Sequence, residues 1–408
     1  LWTMCAVLFA AGAGCGDDAG SGGATSSAGP GSSSSAQSSG STGAGGAGGE
    51  GPGDPVVRFP KTALGPADIA VLVNDQDPQS MAVGAYYAAA RGIPAANVIT
   101  VSFTATGSDN IAAADFDVVK QAIDAATPPS VQAYAVTWTY PTRVDCMSLT
   151  SALAFGFSDA YCNTSGMACG ATEPSDYYDS DSAAPFDDHA MRPAMVLAGA
   201  TTTDVEALID RGVAADDTFP IGEGWFVRTT DTARSVRWND FVDTLDTFDH
   251  DGCLSLTYVD NSAGDGLNHV ENMTDVLFYF TGLANVPAID TNTYRPGAVA
   301  DHLTSFGGAI PPGGQMSVLA WLEAGATGSF GTVREPCNYT QKFPQTEVML
   351  DHYFRGETLI EAYWKSVRWP GEGLFVGEPL ARPWGVQSVT FDAGTLTIIT
   401  TTLVPGRT

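Results

Sequence analysis

Lysine is almost missing from this chain. Lys61, Lys120, Lys342 and Lys365 are the only four in 408 residues, and the 18 Lys and Arg together stand against 46 Asp and Glu, a formal net charge of −28. Affinity for a phosphate backbone comes from clustered bases, and these do not cluster, so a nucleic-acid partner is not expected. Several chemical signatures are missing as well. There is no Gly-x-x-x-x-Gly-Lys-Ser/Thr loop to cradle phosphates; Gly325-Ala-Thr-Gly-Ser-Phe-Gly331 lacks both the lysine and the strand-then-helix order. No Gly-x-Ser-x-Gly elbow presents a serine nucleophile. The five histidines, His189, His250, His269, His302 and His352, never fall at the spacing of a zinc helix or a Cys/His knuckle. Asp249-His-Asp-Gly252 and the stretch 260–266 have the composition of calcium loops without the twelve-residue pattern, and read as turns. No metal and no cofactor is expected.

Bases are also missing from residues 1–55, which contain Asp17, Asp18, Glu50 and Asp54 and no Lys or Arg. The apolar run 7–11 is too short to span a membrane and leads through Gly12-Ala13-Gly14 into Cys15. Residues 1–15 therefore read as the end of a signal peptide with a lipoprotein-type cleavage site, Cys15 carrying the lipid. Residues 16–55 are mostly Gly, Ser, Ala and Thr, without an aromatic side chain. Such a segment buries too little surface to offset its ordering entropy, so it is expected to be a disordered tether that holds a head away from a membrane. What remains, 56–408, carries 42 acids against 18 bases and enough apolar residues for one large folded domain.

That domain alternates strands and helices. Asp68-Ile-Ala-Val-Leu-Val73, closed by Asn74-Asp75-Gln76-Asp77-Pro78, predicts a strand buried on both faces. Helical spacing over 80–91, stopped by Gly92 and Pro94, is followed by a strand at 98–103, a helix at 115–126 and a strand at 131–139. A βαβαβ opening predicts an α/β fold with a mainly parallel sheet flanked by helices. Further strands are expected at 195–199, 224–227, 253–259, 276–280, 297–303, 328–333 and 374–376, and helices at 203–215, 232–248, 316–326, 347–356 and 358–367. A C-terminal β-hairpin is expected around Asp392-Ala-Gly394. In the helix 232–248, Asp240, Asp243 and Asp246 share a face opposite Phe241, Leu245 and Phe248, which reads as a solvated surface.

In such sheets chemistry collects beyond the carboxyl ends of the parallel strands. The residues in those places are Asn74, Asp75 and Asp77; Arg143 and Asp145; Thr281 and Gly282; Asp301, His302, Thr304 and Ser305; Glu335 and Cys337; and Glu378. Asp75, Arg143, Asp145, Thr281 and Glu335 are binding candidates in this ring. A set of ordinary turn and capping side chains would have the same composition.

Several phrases resemble an uncharacterised family of bacterial exported, lipoprotein-type surface proteins. They are Val73-Asn-Asp-Gln-Asp-Pro78, Tyr86-Tyr87-Ala-Ala-Ala-Arg-Gly-Ile-Pro94, Thr142-Arg-Val-Asp145, the stretches 297–308 and 325–337, Arg355-Gly-Glu-Thr-Leu359 and Gly377-Glu-Pro-Leu-Ala-Arg-Pro383. The order of elements in that family is distantly similar to gingipain-type cysteine peptidases, whose fold is caspase-like. In those enzymes one strand ends in His-Gly, the next at the nucleophilic Cys, and a later one in a Gly-Asp-Pro turn. The resemblance places Thr281 at the His position and Thr304 and Ser305 at the Cys position, and keeps the late turn as Gly377-Glu378-Pro379. Both members of the dyad are missing, so peptidase activity does not carry over.

Two substitutes for the dyad stand nearby. Asp301, His302 and Ser305 could form a rebuilt hydrolytic site, although side chains three apart on an extended strand face opposite ways, so a Ser–His hydrogen bond needs a turn between them. Cys337 is a second candidate nucleophile, with Arg334 close in sequence to lower its pKa. In an exported protein, cysteines more often pair. Cys162 and Cys169 bracket a short polar loop suited to a local disulfide; the remaining Cys146, Cys253 and Cys337 would leave one free thiol. The sequence thus reads as an exported, membrane-anchored cell-envelope lipoprotein that binds an unknown ligand or envelope partner and touches the membrane only through Cys15, with a hydrolase as the competing class.

Overall fold

The computed structural model describes residues 61–104, 108–164, 169–248, 254–310, 312–392 and 395–400. Cys15, where a lipid is expected, the expected tether 16–55, His250 and Cys253 lie outside the described residues. In the first part of the chain the elements are β1 (Ile69–Asn74), α1 (Pro78–Arg91), β2 (Val98–Val101), β3 (Asn110–Ile111), α2 (Ala113–Ala126), β4 (Ala133–Val136), β5 (Arg143–Val144), β6 (Met147–Ser148), α3 (Leu149–Phe155), α4 (Pro185–His189), β7 (Ala194–Val196) and α5 (Thr202–Ala215). The second part contains β8 (Gly222–Arg228), α6 (Trp238–Phe248), β9 (Leu254–Asp260), β10 (Val276–Gly282), β11 (Tyr294–Leu303), α7 (Leu319–Ala324), β12 (Gly328–Thr332), α8 (Thr346–Phe354), α9 (Leu359–Ser366), β13 (Gly373–Gly377) and the hairpin β14 (Val386–Asp392) and β15 (Thr395–Thr400).

Ten strands form one sheet in the order β2-β1-β4-β7-β13-β12-β11-β10-β8-β9. The sheet is mostly parallel; β12 and β13 run antiparallel, with Gly328 opposite Gly377 and Thr332 opposite Gly373, and β13 meets β7 through the single pair Val376 and Val196. The α/β fold, its mostly parallel sheet and the C-terminal hairpin follow the sequence pattern. Helices cover both faces, which is why the strands read as continuous apolar runs. All six residues of β1 are buried. Ile69, Val71 and Val73 enter a core with Tyr87 of α1, Phe241 of α6, Met349 of α8 and Trp364 of α9. Ala70 and Leu72 point the other way, toward Phe116 of α2 and Leu149 of α3. No helix among the described residues is long and apolar enough to cross a membrane.

Local chemistry sets the ends of the helices. Asp77 accepts the Gln79 N–H at 2.9 Å to start α1, with Pro78 in the first turn, and Gly92 stops it in the left-handed region at φ 62°. Thr201 with Asp204 and Thr358 with Glu361 form capping boxes on α5 and α9. The predicted helix 232–248 begins only at Trp238, because Asp231 closes a turn on Arg234 and Ser235 through its carbonyl and pairs with the Arg234 guanidinium at 2.7 Å. Asp240 is also corrected. Its carboxylate does not face solvent but accepts the Thr346 N–H at 2.7 Å and hydroxyl at 2.9 Å, capping α8 from another element. Burial raises its pKa above the ordinary aspartate value, against those hydrogen bonds.

Candidate functional site

The candidate residues are divided between the two edges of the sheet. Gln79, Thr139 and Gly199, beyond β1, β4 and β7, line one cavity with Asn285 and Met316, which follow β10 and β11, so these carboxyl ends share an edge. Asn74, Asp75, Thr281, Thr304 and Ser305 belong to it; Glu378, at the end of β13, meets Arg91 and Asp216 at the C-terminal ends of α1 and α5 and belongs to the other. Asp75 is held by the Ser102 hydroxyl at 2.7 Å and the Gln76 amide at 2.8 Å, which lower its pKa. Glu378 is fully buried and takes the fork of the Arg91 guanidinium, which also reaches Asp216. That group ties α1 and α5 to the end of β13.

β10 and β11 are adjacent and parallel, with Thr281 opposite His302 and Gly282 opposite Leu303. A Cβ on Gly282 would fall 1.9 Å from the Arg234 carbonyl oxygen, so only glycine lets the two backbones approach here. Thr281 is buried and donates to the Val227 carbonyl at 3.1 Å. Asp301 and His302 point to opposite faces, as consecutive strand residues must. Asp301 is fully buried and bonds the Arg237 guanidinium at 2.6 Å; its second oxygen has no partner. Burial raises the pKa of this carboxyl in spite of Arg237.

His302 does not reach solvent. The Trp321 indole N–H donates to its Nδ1 at 2.9 Å, which leaves Nε2 to donate to the Met316 carbonyl at 3.1 Å. With both ring nitrogens occupied, His302 is not free to act as a base for Ser305, and the rebuilt hydrolytic triad loses its proton acceptor. Thr304 donates to the Gln315 side-chain oxygen and accepts from Arg234 Nε at 3.2 Å.

Burial pulls the pKa of His302 down to about 3. His352 behaves oppositely: burial pulls it down too, but hydrogen bonds to Asp179 at 3.2 Å and Glu357 at 3.0 Å leave it above its ordinary value. A histidine kept neutral in the fold stabilises it above the unfolded pKa of 6.5 and loses that contribution as pH falls toward 3. The His352 contribution is complete below 6.5 and is lost as pH rises. In urea titrations of a His302→Gln variant and the wild type, the wild type is expected to lose stability relative to the variant by on the order of 1 kcal/mol per pH unit between pH 6 and 4. Parallel pH profiles would show that His302 is protonated in the fold.

The cysteines pair differently from the local bridge expected between Cys162 and Cys169. Cys146 is joined to Cys162, with Cα atoms 5.6 Å apart, and Cys169 to Cys337, at 5.8 Å. Asn163, next to Cys162, donates its N–H to Glu372 at 2.9 Å, which holds this loop against the segment leading into β13. Paired with Cys169, Cys337 is neither the free thiol nor a nucleophile. The bridges flank a cluster that joins two of the phrases singled out in the sequence. Arg143 forks onto Asp109 at 2.9 and 3.2 Å, and Arg143 and Arg334 both donate to the Asp145 carbonyl, at 2.7 and 3.0 Å. The Asp145 carboxylate accepts the Ala113 N–H at 3.1 Å and so caps α2, whose own cap position is Ala112. Glu335 accepts the Cys337 N–H at 2.9 Å. The cluster brings Arg143, Asp145, Glu335 and Cys337 together, in roles that fasten loops.

A cavity lined by described residues holds none of the candidates read from the sequence. It measures about 570 Å³ and lies between Gln79, Thr139, Tyr140 and Gly199, beyond the carboxyl ends of β1, β4 and β7, and α7 with the segment leading into it. Asn285, Gln315, Ser317 and Glu323 complete its polar lining, and Ile310, Met316 and Leu319 form an apolar wall. Gln79 Nε2 is buried with no hydrogen-bond partner among the described residues. The orientation of Gln315 is fixed: arginine can only donate, so the amide oxygen faces Thr304 and Arg234 and its nitrogen remains a donor. Nothing periodic marks these residues in the sequence; the only local signal is the position of Gln79 in the first turn of α1 and of Thr139 just past β4. Among the described residues no group of three His, Cys, Asp or Glu is placed to hold a metal ion. Compared with known proteins, the chain matches no family model, no curated protein and no solved structure.

Proposed function

We propose that the chain is an exported, lipid-anchored cell-envelope protein whose α/β head binds a ligand in this cleft and does not hydrolyse peptides. The observation that carries the reading is the hydrogen bonding of Thr304. At the place where a gingipain-type enzyme would present its nucleophile, the side chain is tied to Gln315 and Arg234 and serves to aim the Gln315 amide. The adjacent, parallel β10 and β11 ending at Thr281 and Thr304 support descent from a caspase-like arrangement. Two disulfides support an oxidising compartment outside the cytoplasm. The small residues before Cys15 and the Gly/Ser-rich stretch after it support anchoring by a lipid.

A broad peptidase and esterase screen of the purified head, run beside a Ser305→Ala variant, tests this reading. The expected result is no turnover that depends on Ser305. Turnover abolished by the substitution would restore the hydrolase and remove the binding protein.

A further inference from the structure

The polar groups of the cleft define the chemistry of what fits it. We propose that it takes an uncharged saccharide of one to three sugar units, an inference that rests on the cleft being the binding site. No Lys, Arg or His lines the cavity, and Glu323 is its single charge. An anionic ligand would find no counter-charge there and would meet a protein of net charge −28. A neutral hydroxyl both donates and accepts, and the lining offers both: a donor at Gln315 Nε2, an acceptor at the Glu323 carboxylate, and a side chain with both capacities at Asn285. The Tyr140 ring and Met316 supply apolar surface for the C–H face of a sugar. An extended peptide is disfavoured because β1, β4 and β7 are interior strands with both edges already paired, leaving no ladder to extend. The volume of about 570 Å³ lies within the range of roughly 300–1,000 Å³ for pockets that enclose small molecules.

The test is a glycan array carrying neutral and uronic- or sialic-acid-bearing oligosaccharides, followed by calorimetry on the best neutral glycan. The expected result is saturable binding of a neutral glycan, weakened roughly tenfold by Asn285→Ala and by Tyr140→Ala, and abolished by Ala320→Trp, which fills the cavity. Unchanged melting temperatures establish that the variants remain folded. Binding confined to acidic glycans, or to none, would overturn the saccharide. A ligand-observed NMR screen of a general fragment library then separates the two levels: fragments that bind the wild type and not Ala320→Trp keep the cleft as a binding site of another class, and no such fragment removes the cleft as well.

Discussion

Replacing Arg237 by methionine is expected to remove roughly 3–5 kcal/mol of stability, the usual penalty for leaving a buried charge without its partner. Arg237 and Asp301 are both almost completely buried, between Phe241, Phe280 and Phe343. The guanidinium also donates to the Thr281 carbonyl at 2.9 Å and to the Pro344 carbonyl at 3.2 Å, fastening the end of β10 to the segment before α8. Methionine fills a similar volume but satisfies neither the carboxylate nor the carbonyls. The double variant Arg237→Met/Asp301→Leu is expected to recover most of the loss, because the desolvation penalty disappears with the second charge. Urea unfolding followed by tryptophan fluorescence measures both. A loss below about 1 kcal/mol in the single variant would mean that water reaches the pair, which is the behaviour of exposed ion pairs.

The second large effect concerns Cys169–Cys337, which closes a loop with a sequence separation of 168, against 16 for Cys146–Cys162. Cross-linking restricts the unfolded chain, and the loss of entropy grows with the logarithm of loop length, to about 5 kcal/mol for the longer loop and about 3 for the shorter. Removing Cys169 and Cys337 together, both as serine, is thus expected to destabilise the protein by roughly 2–5 kcal/mol, more than the same change at Cys146 and Cys162. Denaturant midpoints of the two double variants decide the order. If removing the shorter bridge is the more damaging, the bridges act through contacts in the folded state, not through chain entropy.

What the sequence made legible was the local grammar. The run from Ile69 to Val73 names its own strand because both faces are covered, and Asp77, Pro78 and Gly92 mark α1 from end to end. The hairpin followed from alternation around a turn. What stayed hidden depends on pairings between distant segments. β13 is a short apolar run, and nothing in Leu374, Phe375 or Val376 says that it lies between β7 and β12 and runs antiparallel to β12. α3 escaped notice because Leu149 to Ala154 are buried all round, so no polar face gives it a helical period. The cysteine partners were set by where the loops return and not by the spacing of Cys162 and Cys169. Gln79, Tyr140 and Gln315 come from three separate segments, and only the folded sheet makes one cleft of them.

The seam strand also determines when this protein can fold. β13 is the last strand of the ten-stranded sheet in chain order, yet it sits in the middle, between β7 and β12. Until residue 377 is available, each half-sheet ends in an open edge, a row of unpaired N–H and C=O groups that invites misassembly. Closing the sheet needs contacts between positions about 180 residues apart, such as Val196 with Val376, and pairings of that kind form slowly because loop closure must precede them. A keystone strand placed last delays closure of the sheet until nearly the whole chain is present, through topology alone.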